Sequence, residues 1–102
     1  MKVNYTLSNG NLYFYLIGEL DECTAQNTRA VIDDVMAKYS KAKNVVFNFS
    51  SLSFMDSTGI GMLLGRYKKI KAKGMGVFIE SPSTTVEKIM QISGLYKIMP
   101  KI

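Results

Sequence analysis

The sequence predicts one α/β domain: a mixed β-sheet with packed helices, begun by a β-hairpin and continued by alternating helices and strands. Three observations carry this. Asn9-Gly10 separates two strand-like runs, two later apolar runs (Val45–Phe49 and Gly76–Ile79) are short enough for buried strands, and the segments between them repeat apolar residues every three or four positions. At 102 residues there is room for one domain, residues 1–102, with a core able to fold unaided.

Taken in order, Val3, Tyr5 and Leu7 alternate with polar neighbours, the period of a half-buried strand. Asn9-Gly10 supplies the two positive-φ positions of a tight hairpin turn. The return strand Asn11–Ile17 is apolar nearly throughout and is expected to be buried on both faces, with Gly18-Glu19-Leu20-Asp21 leaving the sheet. From Thr24 to Tyr39 a helix is expected with Val31, Ile32, Val35, Met36 and Tyr39 inward. A linker, Ser40–Asn44, leads to the strand Val45–Phe49, and strand, helix, strand in this order argues for a parallel pair.

The central helix is expected over Ser57–Lys73, with Ile60, Leu63, Leu64, Tyr67 and Ile70 inward and Gly74 ending it. Gly65 inside it costs about 1 kcal/mol relative to alanine unless something packs there. A strand follows at Gly76–Ile79, broken by Ser81-Pro82. Thr84 with Glu87 has capping-box spacing for a third helix that buries Val86, Ile89 and Met90 and stops at Gly94. The tail Leu95–Ile102 reads as one more strand.

Composition removes several functions. Histidine is absent and Cys23 is the single cysteine, so no Ser-His-Asp triad, Cys-His dyad, intrachain disulfide or cysteine cluster for zinc can form. Apolar runs are too short to span a bilayer and the first residues lack a signal core, so a cytoplasmic protein is expected. Residues 1–40 carry three basic and five acidic groups and residues 41–102 ten and three, so −2 and +7 make the net +5. The basic part fits either an anionic partner or a lysine-rich solvated surface.

The chemistry-bearing stretch is Phe54-Met55-Asp56-Ser57-Thr58-Gly59-Ile60-Gly61, which places Ser57 in the first turn of the central helix. Asp56 is a favoured N-cap type, and Gly59 and Gly61 let other backbone approach closely. Backbone N–H groups there lack partners and favour negative charge. A hydrolase nucleophile fails, because Met55 stands where a nucleophile elbow has glycine and no histidine exists. A phosphate-binding loop fails for want of a glycine run ending in Lys-Ser or Lys-Thr.

The stripe Arg66, Lys69 and Lys73 lies on one helix face, but no aromatic residues interleave to stack bases, and a solvated face is the simpler reading. Asp21 and Glu22 either complement a helix dipole or form a contact patch on the same rim as Ser57. Two readings remain for Ser57: a phosphate switch, its charge accepted by the helix start, or part of a plain helix cap.

The segment Phe54–Gly61, continuing as Met62-Leu63-Leu64-Gly65-Arg66-Tyr67-Lys68, strongly resembles the phosphorylation segment of bacterial anti-sigma-factor antagonists of the STAS domain family. Gly18-Glu19-Leu20-Asp21 with Thr24-Ala25 is similar to that family's second motif and Ser93-Gly94-Leu95-Tyr96-Lys97-Ile98 to its third. The resemblance implies a single STAS domain and a regulatory binding protein, not an enzyme. Its unphosphorylated form binds an anti-sigma factor that is also a serine kinase, which frees the sigma factor; phosphorylation of Ser57 ends the complex, and a serine phosphatase resets it. Asp56 then helps hold the serine, Asp21 touches the partner, and Thr58, Gly59 and Ile60 complete the partner surface. No cofactor is implied, since ATP and Mg²⁺ belong to the kinase. No direct nucleic-acid or membrane contact is implied, and the free protein is expected to be a monomer.

The segment Gly65–Lys68 points to the sporulation branch. Two departures accompany it: Thr58 stands where that branch often has a second serine, and the sequence ends at Ile102, where a further C-terminal helix is expected. The other readings are a general-stress antagonist, a STAS subunit of a larger signalling or transport assembly, and a small nucleotide-binding protein.

Overall fold

The computed structural model describes residues 1–102. Strands β1 (Lys2–Ser8) and β2 (Asn11–Leu20) form the hairpin, with Ser8 opposite Asn11 and both Asn9 (φ 52°) and Gly10 (φ 82°) left-handed, as the two-residue turn requires. Helix α1 (Ala25–Lys38), strand β3 (Asn44–Asn48), strand β4 (Leu52–Met55), helix α2 (Ser57–Ala72), strand β5 (Gly76–Glu80) and helix α3 (Thr84–Ser93) follow, then a 3₁₀ turn at Leu95–Lys97. The strands run in the order β1-β2-β3-β5, antiparallel at β1–β2 and parallel elsewhere, so the sheet is mixed.

β4 is absent from the sequence reading. It lies beside the last part of β2, where Gly18, Glu19 and Leu20 face Leu52, Phe54 and Met55 across a bulge. β2 therefore does not leave the sheet at Gly18. It runs on to Leu20 and exchanges β3 for β4, the switch marked by Gly18 N–H donating to Ser51 O at 3.0 Å. The parallel crossover holds, but Ser57 follows β4 and not β3.

All three helices pack on one face of the sheet. Leu12, Phe14 and Leu16 of β2, Val45 and Phe47 of β3, and Val77 and Ile79 of β5 join one core with Ile32, Val35, Met36, Leu63, Ile70, Val86 and Met90. The other face carries Tyr13, Tyr15 and Phe78 half-buried, so β2 is buried on one face and not on both. β1 is an edge strand, and Tyr5 and Leu7 stay 40% and 48% exposed because only the end of α1, through Tyr39, reaches them.

Several inward assignments move to another residue of the same helix. Val31 is exposed and Thr28 takes the buried place, its hydroxyl donating to Thr24 O at 2.9 Å. In α2 Met62 is buried and Leu64 only half so. α3 begins one residue early: Ser83, not Thr84, is the N-cap, its Oγ accepting Val86 N–H at 3.4 Å. Glu87 instead turns to the tail, accepting Tyr96 Oη–H and Lys101 Nζ–H, both at 3.1 Å. The tail makes no strand; it makes the 3₁₀ turn and one bridge to Ile79. No helix is long and apolar enough to cross a membrane.

Candidate functional site

β2 and β4 run parallel and end in register, Leu20 beside Met55, so the chain leaves the sheet at one rim twice. The first exit is Asp21, leading into α1, and the second is Asp56, leading into α2. Sites in open α/β sheets collect at such carboxyl ends.

Asp56 fastens the two exits together. Its backbone is extended (φ −98°, ψ −174°), and its Oδ1 accepts Gly59 N–H at 3.0 Å, the N-cap bond. Its Oδ2 accepts Glu22 N–H from the other loop at 3.2 Å, and its own N–H donates to Leu20 O at 3.2 Å. Gly59 is buried where α2 crosses the end of β2: a Cβ there would lie 2.7 Å from Leu20 O and 2.9 Å from Met55 Cγ. Glycine is therefore demanded at 59 by close packing. Gly61, expected to serve in the same way, faces open space instead.

Ser57 is the first residue of α2 and is exposed, as is Thr58; Ile60 is half-buried against the core. With Gly59 N–H held by Asp56, the N–H groups of Ser57 and Thr58 remain at the helix start for an anion. Cap and anion-accepting start thus coexist at Asp56-Ser57.

Asp21 is a turn-former. Its Oδ1 accepts Cys23 N–H at 2.9 Å and Thr24 N–H at 3.1 Å, while its N–H donates to Thr24 Oγ1 at 3.0 Å. Thr24 Oγ1 in turn donates to Glu19 O at 2.8 Å. The first turn of α1 contains no acidic residue, but the Asp21 carboxylate takes two N–H groups of the turn that leads into the helix, so its capping and contact readings both stand. An Asp bonding backbone two and three residues on is an Asx-type turn, and Asp21-x-x-Thr24 was the available signal for it. Glu22 is exposed beside it.

The basic stripe on α2 is interrupted. Arg66 is only 12% exposed, its Nη1 3.2 Å from Asp33 Oδ2, and Lys69 Nζ lies 3.5 Å from the same oxygen. Between the starts of α1 and α2 runs a groove of about 480 Å³ with Glu22 and Arg29 on one side and Thr58, Gly61, Gly65 and Arg66 on the other. Sequence reading missed it because it needs two helices side by side. No group of three or more acidic or cysteine side chains is placed to hold a metal.

The same fold recurs among known proteins. The family model described as the STAS domain matches residues 2–102. An anti-sigma F factor antagonist of Paenibacillus polymyxa is 37% identical over 91 residues, covering 89% of this chain and 77% of that protein. The solved structure of the anti-sigma factor antagonist SpoIIAA in its unphosphorylated form superposes with a TM-score of 0.80 at 31% identity, covering 99% of this chain and 88% of that one. The structure of the Bacillus cell fate determinant SpoIIAA in the phosphorylated form does so with a TM-score of 0.72 at 30% identity, covering 99% and 91%. The chain belongs to the STAS domain family, among its anti-sigma factor antagonists.

Proposed function

We propose that the whole chain, residues 1–102, acts as one partner-exchange switch of the sporulation type. Its unphosphorylated form binds an anti-sigma factor that is also a serine kinase and thereby releases the sigma factor. The observation that carries this is Ser57: an exposed hydroxyl at the first position of α2, directly after the aspartate that ties both loops of the rim.

The protein supplies the acceptor and the kinase supplies the chemistry. The γ-phosphoryl group of the kinase's Mg-ATP passes to Ser57 Oγ, the hydroxyl proton goes to a base on the kinase, and ADP leaves. No histidine of this chain is available for the base, in keeping with that division. Asp56 positions the serine through the cap, Asp21, Thr58 and half-buried Ile60 shape the surrounding surface, and buried Gly59 acts only by letting α2 sit close on Leu20.

Phosphorylation adds about −1.5 to −2 charge to a rim that already holds Glu19, Asp21, Glu22 and Asp56. The free N–H groups of α2 accept it in the unbound protein, so the fold survives. Against a partner surface the same charge must be desolvated. A hundredfold loss of affinity requires about 2.7 kcal/mol, a modest demand on a buried unpaired phosphate. A serine phosphatase restores the hydroxyl.

Incubation with the kinase encoded in the same genome and Mg-ATP is expected to add one phosphate, mapped to Ser57 by mass spectrometry. Ser57→Ala should bind the kinase and take up no phosphate; label appearing on Thr58 would move the switch there. Ser57→Asp should bind at least about a hundredfold more weakly by calorimetry while melting as wild type does. Wild-type affinity in that variant would defeat the switch.

A further inference from the structure

Gly61 and Gly65 stand one turn apart on α2, and a Cβ added at either would meet nothing within 4 Å. Glycine inside a helix is disfavoured against alanine by backbone entropy. At Gly59 close packing explains it; at Gly61 and Gly65 nothing inside the molecule does. The two bare positions floor the groove of about 480 Å³ that opens at Thr58 and Glu22 and therefore starts on the switch rim itself. Ala25 and Arg29 of α1 form its other wall.

Charge along the groove is ordered. Its mouth is acidic, with Glu22 beside Asp21 and Asp56, and its inner part is basic, with Arg29 and Arg66. Arg66 is largely buried, and its Nε and Nη1 have no hydrogen-bond partner, although Nη1 lies in ion-pair range of Asp33.

We infer that the groove receives a helix of the anti-sigma partner, so that the contact runs from Ser57 down the seam between α1 and α2. This rests on the partner-exchange reading above. Small residues at positions 61 and 65, four apart, let a second helix approach closely, because interaxial distance is set by the side chains at the contact. The docked helix presents a basic side chain to the acidic mouth and a carboxylate to Arg29. Continuity with Ser57, on which the kinase acts in that reading, makes the kinase the occupant.

The test uses the full chain and its cognate kinase. Gly61→Ala and Gly65→Ala should each raise Tm by about 3–6 °C, since the methyl meets no obstacle and helix entropy improves. The doubly substituted protein should nevertheless bind the kinase at least about tenfold more weakly. Arg29→Glu, at an exposed position, should weaken binding to a similar extent with Tm little changed. If the wild type binds, Ser57→Asp does not, and the glycine and Arg29 variants bind as wild type does, the groove is not part of the interface while the switch stands. If the wild type fails to bind the kinase, the partner-exchange reading falls and the groove inference with it. A stability gain together with an affinity loss carries the proposal, because a purely structural role for the glycines gives the opposite sign for stability.

Discussion

Asp56 accepts hydrogen bonds from two loops, at Gly59 and at Glu22, so removing its carboxylate loosens the start of α2 and the turn before α1 together. Asp21 holds only its own turn, through Cys23 and Thr24. This gives Asp21 a fold role that competes with the contact role, and the two separate by substitution. Asp21→Ala removes both, at about 1 kcal/mol of stability, as for a lost cap. Asp21→Asn keeps an Oδ1 acceptor for Cys23 and Thr24 while removing the charge. Its urea midpoint should stay near wild type while affinity for the kinase falls several-fold. An Asn variant destabilised as much as the Ala variant, with affinity intact, would leave Asp21 a turn residue alone. The Asp56 cap was legible from sequence because its bond to Gly59 is three residues long. Its bond to Glu22 was not, because it spans 34 positions and depends on β2 and β4 ending side by side.

At the scale of elements, what was legible had a strong local rule behind it: the Asn9-Gly10 hairpin, the parallel strands and the three helices. β4 escaped because Leu52–Met55 is four residues long and its burial does not alternate, Ser53 and Phe54 both facing solvent. The tail was misread as a strand because its apolar residues reach the core through a 3₁₀ turn; Leu95 and Met99 are buried one turn apart. What fastens that turn to α3 is side-chain chemistry: Tyr96 donates to Glu87, and Lys101 lies 3.1 Å from the same carboxylate. Partial burial, then the hydrogen bond to Glu87 and its negative charge, push the Tyr96 phenol from its usual 10 up to about 12. A raised pKa means that the folded state holds the proton more tightly than the unfolded chain. The contribution to stability is therefore complete below pH 10 and is lost as pH rises from 10 to about 12. Thermal melts across that window should show the wild type losing stability faster than Tyr96→Phe, which has no phenol to ionise. Parallel curves would mean that the tyrosine does not sense the fold.

For the whole molecule, charge along the sequence misled: the second stretch, residues 41–102, carries +7, yet it contributes Asp56 to an acidic rim. In space, Glu19, Asp21, Glu22 and Asp56 gather where β2 and β4 end side by side. Lys38, Lys71 and Lys73 close the helices at the opposite end, with Lys41 and Lys43 leading into β3 beside the hairpin turn. The net +5 would by itself repel a basic partner, so the question is which charges that partner senses. The molecule extends 32 Å along its longest axis, whereas charges are screened over about 10 Å at 0.1 M salt. The basic end is therefore nearly invisible to a partner approaching the rim, where Glu19, Asp21, Glu22 and Asp56 outnumber the Met1 amine, Lys2 and Arg29, and the local acids steer it. Association with the kinase should slow at least about fivefold between 0.1 M and 1 M NaCl, where screening shortens to about 3 Å, with dissociation changing far less. Replacing Glu19 and Glu22 by glutamine should flatten that dependence without altering the melt, since neither carboxylate takes part in a hydrogen bond of the fold. Stopped-flow association that is indifferent to salt, or that speeds up with it, would show that the rim does not guide the encounter and that the net positive charge does.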